Sequence, residues 1–327
     1  MHGETVSQFD VFNGDADGIC ALHQWRLNDP KKSILVTGVK RDIHLLDRVF
    51  ATKGDEIAVF DVSLDSNRSD VVRLLAAGAR LQYFDHHFAG EPIVNAGLST
   101  NIDTEPDQCT SLLVDAALNG KFRPWAAVAA FGDNLHHVAR QVVASLELEN
   151  DTIELLAELG ELLNYNAYGD SVADLHFPPD KLYELLSPYS NPLDFVRDSP
   201  AFLSLHAGFQ QDIARSESLT PCLSSDSTAA LLLPDMPWAR RVVGVLSNRL
   251  AMTNPHRAHA LLVPNASGSL TVSVRAPKSR PTGADAFCRG FPTGGGRKAA
   301  AGINQLPAAE IDRFLGAFAE FFRSTRV

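Results

Sequence analysis

The sequence lacks an apolar run that could cross a membrane, since no stretch of about 18 or more apolar residues occurs in its 327 residues. At the N-terminus, His2, Glu4 and Gln8 interrupt the apolar segment that a signal peptide requires. Hydrophobic residues make up 45% of the chain and charged residues 21%. We therefore expect a globular cytoplasmic protein without a membrane partner, long enough for two domains.

The sequence is also poor in cysteine and in basic residues. Its four cysteines lie far apart without a C-x-x-C pair, so the sequence indicates neither a zinc knuckle nor a disulfide framework. The 29 Lys and Arg residues stand against 39 Asp and Glu residues, a formal net charge of −10. This charge opposes binding along duplex nucleic acid, so we expect no duplex DNA partner. A small anionic substrate, met by a local positive cluster, fits better.

Strand-like and helix-like segments alternate in the first part of the chain. Short runs rich in β-branched and aromatic residues predict strands at 9–12, 34–39, 57–62 and 81–84. Helical patterns lie between them at 18–27, 43–50 and 69–77, where Ser69 is placed to cap the last helix. This alternation predicts an α/β fold whose first domain has a parallel sheet with flanking helices.

The remaining chain predicts packing helices and then a smaller α/β domain. Apolar spacing of three and four residues predicts helices at 125–143 and 152–163. Repeated prolines make 177–200 irregular, and a helix follows at 202–214. Strand and helix patterns return after Thr220 and end with a glycine-rich turn and an amphipathic helix at 308–322. We predict domain ranges of 1–195 and 219–327, joined by a linker helix at 196–218.

Acidic residues cluster where the predicted strands end. Asp15 and Asp17 follow the first strand, and Asp61 lies at the end of the third. Because the carboxyl ends of parallel strands share one edge of a sheet, these carboxylates should meet there. Carboxylates so close repel each other unless a hard divalent cation binds them. The pattern therefore indicates a metal site.

Histidines join this predicted site after the fourth strand, in the sequence Asp85-His86-His87. His86 would supply an imidazole ligand, Asp85 would fix the tautomer of that imidazole, and His87 would face the substrate. A carboxylate and imidazole set without thiolate favours Mn²⁺ or Mg²⁺ over structural zinc. Two such ions suit phosphoryl hydrolysis.

These clusters resemble, in order and spacing, the four motifs of the DHH phosphoesterase family, which includes RecJ exonucleases, nano-RNases, cyclic dinucleotide phosphodiesterases and family II pyrophosphatases. The matching residues are Asp15-Ala16-Asp17-Gly18, Asp61, Asp85-His86-His87 and Gly132-Asp133-Asn134. The resemblance implies two divalent cations, with Mn²⁺ favoured and Mg²⁺ or Co²⁺ as alternatives. It makes Asp61 the bridging ligand, Asp15 a ligand of the first metal, and Asp17, His86 and Asp133 ligands of the second. His87 would contact the substrate phosphate.

The first motif departs from the family pattern at two positions. Many members carry a histidine four residues before the first aspartate, where this sequence has Val11. RecJ-like members instead carry an acidic residue two positions before that aspartate, where this sequence has Asn13. We expect either that Asn13 is a weak metal ligand through its side-chain carbonyl oxygen or that the first metal is bound more loosely.

The last third of the chain resembles the DHH-associated substrate-binding domain. Its Gly-Gly-Gly-His signature appears here as Gly294-Gly295-Gly296-Arg297, and its Ser-x-Arg strand as Ser273 and Arg275. Exposed N–H groups of a glycine run can bind an anion, and an arginine can bind phosphate through two hydrogen bonds. The resemblance thus implies that these six residues bind substrate and that the active site lies in a cleft between two domains.

The resemblance leaves three functions open. The first is a two-metal phosphodiesterase that cleaves short linear oligoribonucleotides, such as the dinucleotides pGpG or pApA, to mononucleotides. The second is a phosphatase of nucleotides of the 3′-phosphoadenosine 5′-phosphate type. The third is a catalytically weak, nucleotide-binding regulatory protein. A dimer is compatible with all three, and the sequence does not determine the oligomeric state.

Overall fold

The structure, a computed structural model, describes residues 6–323 and forms two compact units that divide between Ala207 and Gly208. This boundary lies inside the range predicted as a linker helix. The predicted α/β fold, with a parallel first sheet and a second α/β region, is confirmed. Within the described residues, no helix is long and apolar enough to cross a membrane.

The first unit is built on a five-stranded parallel sheet in the order β2-β1-β3-β4-β5. The strands are β1 (Gln8–Phe12), β2 (Ile34–Val36), β3 (Glu56–Phe60), β4 (Arg80–Asp85) and β5 (Leu98–Ile102). Strand β3 lies at the centre between β1 and β4, and the side chains of Val11, Val59 and Tyr83 on these three strands are fully buried. The edge strand β5 was not predicted, because its sequence LSTNI is largely polar and lacks the apolar run of a central strand.

Helices cover this sheet and extend the first unit. They are α1 (Ala16–Asn28), α2 (Arg68–Ala76), α3 (Thr110–Ala117), α4 (Arg123–Gly132), α5 (His136–Ala144), α6 (Asn150–Ala167), α7 (Pro179–Leu186) and α8 (Pro192–Asp198), and α9 (Pro200–Ser216) contains the unit boundary. Helices α7 and α8 begin with proline, which is favoured at the first helical position. The region predicted as irregular is therefore partly helical.

Four other local predictions were wrong. The predicted helix at 43–50 is only a short 3-10 helix, Leu45–Arg48. The predicted strand at 34–39 ends at Val36, and Ser69 does not cap α2, which begins one residue earlier. The single helix predicted at 125–143 is split into α4 and α5, because Asn134 has a positive φ of 64° that ends α4. This break places Asp133 at the end of a helix.

The second unit holds a six-stranded mixed sheet in the order β10-β11-β9-β8-β7-β6. The strands are β6 (Leu223–Ser224), β7 (Thr228–Leu232), β8 (Ala258–Pro264), β9 (Ser269–Arg275), β10 (Gly294–Gly296) and β11 (Ala300–Pro307), with helices α10 (Pro237–Thr253), α11 (Ala284–Cys288) and α12 (Ile311–Arg323). The core contains a cluster of aromatic rings, including Phe287, Phe314 and Phe318. The glycine run predicted as a turn is the short edge strand β10.

Candidate metal centre

The loop between β1 and α1 is tight and places two carboxylates at the sheet edge. Asp15 caps α1, because its Oδ1 accepts hydrogen bonds from the backbone N–H groups of Asp17 at 3.0 Å and Gly18 at 3.1 Å. Gly18 is required here, since a Cβ would lie 2.2 Å from the carbonyl oxygen of Asn13. The loop fixes both aspartates at the carboxyl end of a central strand.

The carboxylate of Asp17 is held by the N-terminus of α3. Its Oδ2 accepts the backbone N–H of Thr110 and its Oδ1 that of Ser111, each at 2.7 Å. A helix N-terminus stabilises negative charge in this way. Burial and the charge of Asp133 nevertheless raise the pKa of Asp17 to about 6.

Asp61 follows β3 in a strained backbone conformation. Its φ is 57°, in the left-handed region that costs an L-residue roughly 1–2 kcal/mol. The surroundings fix it there: its backbone N–H donates to the Phe84 carbonyl at 3.1 Å, and the Thr110 hydroxyl donates to Oδ1 at 3.3 Å. Burial and the charges of Asp15 and Asp17 raise the pKa of Asp61 well above its usual range. Such strain is common where a site dictates geometry.

His86 faces the acidic cluster with one ring nitrogen. Its Nδ1 lies 2.9 Å from the carbonyl oxygen of Gln108, to which it can only donate a proton. Its Nε2 lies 3.4 Å from Asp61 Oδ1, 3.8 Å from Asp133 Oδ2 and 4.0 Å from Asp17 Oδ2. A backbone carbonyl that orients one nitrogen while the other points at carboxylates is the arrangement of a metal-binding histidine.

The predicted role of Asp85 was wrong, because Asp85 orients His87 and not His86. Its Oδ1 lies 2.7 Å from His87 Nδ1. The side chain of His87 is 44% exposed, and its Nδ1 is 3.7 Å from Asp61 Oδ1. His87 thus lies at the site with its Nε2 directed away from Asp85. The prediction failed because sequence adjacency cannot tell which of two neighbouring histidines turns towards an acid.

The donor atoms of this cluster fit a divalent cation. In two groups of residues, every donor atom lies within 4.8 Å of the others: Asp17, His86 and Asp133 form one group, and Asp61, His86 and His87 form the other. Their oxygen and imidazole donors suit Mn²⁺ and similar ions. Among residues 6–323, Asp15 belongs to neither group.

A lysine outside the sequence motifs also contacts the acidic cluster. Lys40 follows β2, and its Nζ hydrogen-bonds Asp15 Oδ2 and lies 3.1 Å from Asn164 Oδ1 and 3.5 Å from Asp133 Oδ1. Burial alone would lower the pKa of Lys40, but the charges of Asp15 and Asp133 raise it well above its usual value. The signal available in the sequence was that Lys40 follows a strand of the same parallel sheet.

Asn13 links this lysine to the first motif. Its Oδ1 accepts the backbone N–H of Asp15 at 3.2 Å, and its Nδ2 donates to the Lys40 carbonyl at 3.3 Å. Both ends of the Asn13 side chain are therefore engaged with the protein. Its role as a weak metal ligand stays a prediction.

The candidate substrate residues of the second unit lie on one sheet. Arg275 donates from Nε to Asn248 Oδ1 at 2.9 Å and from Nη1 to Ser273 Oγ at 3.0 Å. In the strand register, Gly302 pairs with Ser273 on one side and with Gly295 on the other. Ser273 and Gly295 thus belong to the same row of residues, two strands apart.

The three glycines differ in what surrounds them. A Cβ on Gly294 would lie 1.8 Å from the Cys288 carbonyl oxygen, and Gly296 has a φ of 137° that favours glycine. By contrast, a Cβ on Gly295 would meet nothing within 4 Å. Packing and backbone conformation explain two of the glycines, while Gly295 borders open space. The following residue, Arg297, is exposed and donates its backbone N–H to Ala300 at 2.8 Å.

Comparison with known proteins finds likeness only among solved structures; no protein-family model and no curated protein matches the chain. A DHH domain from a protein described as a member of a ribosomal protein family superposes with a TM-score of 0.62 at 12% identity, over 96% of this chain and 86% of that one. The exonuclease RecJ bound to manganese gives 0.54 at 17% identity, over 98% and 90%. A pGpG-specific phosphodiesterase, PggH from Vibrio cholerae, gives 0.54 at 13% identity, over 97% and 99%.

The chain has the DHH fold. The resemblance inferred from the motifs is therefore confirmed for the fold. At these sequence identities, the similarity to solved structures shows the fold alone. In this DHH fold, Val11 stands where many members have a histidine, and it is fully buried in β1 between Val36 and Val59. That position therefore contributes to the core and supplies no metal ligand.

Proposed function

We propose that the chain is a metal-dependent phosphodiesterase that cleaves short linear nucleotides, with dinucleotides such as pGpG or pApA as its substrates. The observation that carries this proposal is His86, whose Nε2 lies between 3.4 and 4.0 Å from the carboxylates of Asp17, Asp61 and Asp133. Manganese in RecJ and pGpG specificity in PggH, as those structures are described, support it.

Four side chains of the first unit are proposed to bind the cation at the metal centre. A divalent cation, with Mn²⁺ as the proposed ion, supplies Lewis-acid chemistry: it activates water and stabilises charge on phosphoryl oxygens. Asp17, Asp61, His86 and Asp133 would hold it. Their positions are fixed by backbone contacts, as with Asp17 at the start of α3, so little reorganisation accompanies binding.

His87 is proposed to contact the scissile phosphate. Burial alone would lower its pKa, but the hydrogen bond to Asp85 raises it. When His87 is protonated, it can donate from Nε2 to a phosphate oxygen while Nδ1 stays bound to Asp85. In the overall reaction, the oxygen of water bonds to phosphorus, the ester bond to the leaving ribose oxygen breaks, and that oxygen takes up a proton.

The second unit is proposed to bind another part of the nucleotide. Arg275 is pre-oriented by Asn248 and Ser273, which reduces the entropy lost when its guanidinium binds an anion. The open space at Gly295 lets a phosphate approach backbone N–H groups of the glycine run. Arg297 is proposed as a further phosphate or base contact.

The test is hydrolysis by the full chain, with and without Mn²⁺, of linear dinucleotides, longer oligonucleotides and 3′-phosphoadenosine 5′-phosphate. We expect Mn²⁺-dependent release of two mononucleotides from dinucleotides. His86→Ala should abolish this activity, whereas the matched control His44→Ala, at an exposed histidine outside the cluster, should retain it. Inorganic phosphate from 3′-phosphoadenosine 5′-phosphate alone would favour the phosphatase. Tight nucleotide binding without turnover of any substrate would favour a regulatory protein.

A further inference from the structure

We propose that the ammonium group of Lys40 takes the place of one of the two cations predicted at this centre, so that the chain binds a single divalent ion. The inference rests on the proposed function, because it concerns the same site. It predicts an ion count that differs from the two-metal expectation drawn from the motifs.

The position of Lys40 is built into the fold. Its backbone N–H donates to the Ala167 carbonyl at 2.9 Å, and its carbonyl accepts from Asn13 Nδ2 at 3.3 Å. Lys40 is thus anchored both to the end of α6 and to the first motif. Its side chain extends from this anchor into the acidic cluster and is only 26% exposed. A lysine held in this way differs from a surface lysine that has folded over a neighbouring acid.

The ammonium group also has three oxygen neighbours. An ammonium carries three N–H donors. Around Nζ lie Asp15 Oδ2, Asn164 Oδ1 at 3.1 Å and Asp133 Oδ1 at 3.5 Å. Three oxygens that converge on one point form the kind of site that a metal ion would otherwise fill, and here the cation is covalently part of the chain.

Both oxygens of the Asp15 carboxylate already have partners in the protein. Its Oδ1 accepts the N–H groups of Asp17 and Gly18, and its Oδ2 binds Lys40. Asp15 accordingly belongs to neither group of described residues whose donor atoms could converge on a metal ion. A second divalent ion at Asp15 would have to displace the ammonium group or lie beside it, where two positive charges repel.

Asp133 connects the two cation positions. Its Oδ1 lies 3.5 Å from Lys40 Nζ, and its Oδ2 lies 3.8 Å from His86 Nε2. One carboxylate therefore faces the lysine on one side and the proposed metal ligands on the other. Val11, which stands where many members of the family have a histidine, fits this arrangement. An imidazole at that position would be a ligand for a metal ion, whereas an ammonium group needs only hydrogen-bond acceptors.

The ion count decides between one cation and two. The purified full chain would be dialysed to equilibrium against excess Mn²⁺, and bound manganese measured by mass spectrometry, with electron paramagnetic resonance to detect coupling between neighbouring ions. We expect about one Mn²⁺ per chain and no spin coupling. Lys40→Gln, which removes the charge, should bind about two ions at the coupled spacing of roughly 3.5–4 Å. Lys40→Arg keeps the charge and should bind one.

Each outcome bears on the inference. Two coupled ions in the unmodified chain would overturn it and leave the proposed function intact, since the metal centre would then be of the two-metal type. One ion in both the unmodified chain and a folded Lys40→Gln variant, verified by circular dichroism, would also overturn it. No bound manganese in any of the proteins would overturn the proposed function together with the inference. If Lys40→Gln does not fold, the count for the unmodified chain still decides between one ion and two.

Discussion

The Nδ1 atom of His86 lies 2.9 Å from the carbonyl oxygen of Gln108, and this contact directs the other ring nitrogen at three carboxylates. Burial alone would lower the pKa of His86. The hydrogen bond to Asp61 and the negative charge of Asp61 instead raise this pKa to about 10. Without a metal ion, His86 is therefore protonated at neutral pH. Metal binding requires the neutral ring, so a proton must leave when a cation binds.

The first prediction is that Mn²⁺ binding at pH 7.5 releases about one proton from His86. Calorimetric titrations in buffers of different ionisation enthalpy measure this number directly. His86→Ala should lose the proton release and weaken Mn²⁺ binding by at least the roughly 10–100-fold known for disturbed metal-site partners. Unchanged proton release in His86→Ala would show that this ring is not the group that titrates.

The second prediction concerns the stability of the metal-free chain. The pKa of Asp17 is raised to about 6 by burial and by Asp133, against about 4 in an unfolded chain. Between these values the folded state binds more protons, so stability falls as pH rises from about 4 to about 6. In the presence of chelator, we compare the unfolding midpoints of Asp17→Asn and of the unmodified chain. The midpoint of the variant minus that of the unmodified chain should increase as pH rises through this window. With saturating Mn²⁺ the trend should reverse, because the metal needs the ionised carboxylate. A difference independent of pH would contradict the assignment.

The sequence was sufficient for the strands that end at the site, because buried parallel strands carry apolar runs followed by polar residues. It identified Asp61 and His86 at two such ends, and both lie in the cluster. It could not identify Lys40, whose side chain reaches the cluster from a loop, nor the backbone carbonyl of Gln108. These contacts depend on how distant segments pack. The proposed role of Asp133 came from the family resemblance. Without it, the sequence gives no sign that the helix ends at this residue, which depends on the positive φ of Asn134.

The third prediction uses the strained backbone of Asp61. With φ at 57°, asparagine is tolerated far better than alanine. Asp61→Asn should therefore exceed Asp61→Ala in stability by about 1 kcal/mol in chelator, or roughly 2–4 °C in unfolding midpoint. Both variants should lose the stabilisation that Mn²⁺ gives the unmodified chain. This stabilisation is about 2.7 kcal/mol when the ion is at 100 times its Kd. A persistent Mn²⁺ effect in both variants would remove Asp61 from the ligand set.

The fourth prediction separates structure from binding within the glycine run. Gly294→Ala places a Cβ 1.8 Å from the Cys288 carbonyl oxygen, so the backbone must move and stability should fall by about 1–3 kcal/mol. Gly295→Ala meets nothing within 4 Å, so stability should change by less than about 0.5 kcal/mol.

The added methyl group of Gly295→Ala would nevertheless occupy the space through which a phosphate approaches the backbone N–H groups. We expect dinucleotide binding to weaken about tenfold, equivalent to the loss of roughly 1.4 kcal/mol. Calorimetry in an Asp61→Asn background, where turnover should be blocked, measures the Kd, and thermal unfolding measures the stability. Unaltered affinity in Gly295→Ala would mean that the phosphate does not bind over this strand, and that the glycine run of this chain serves packing alone.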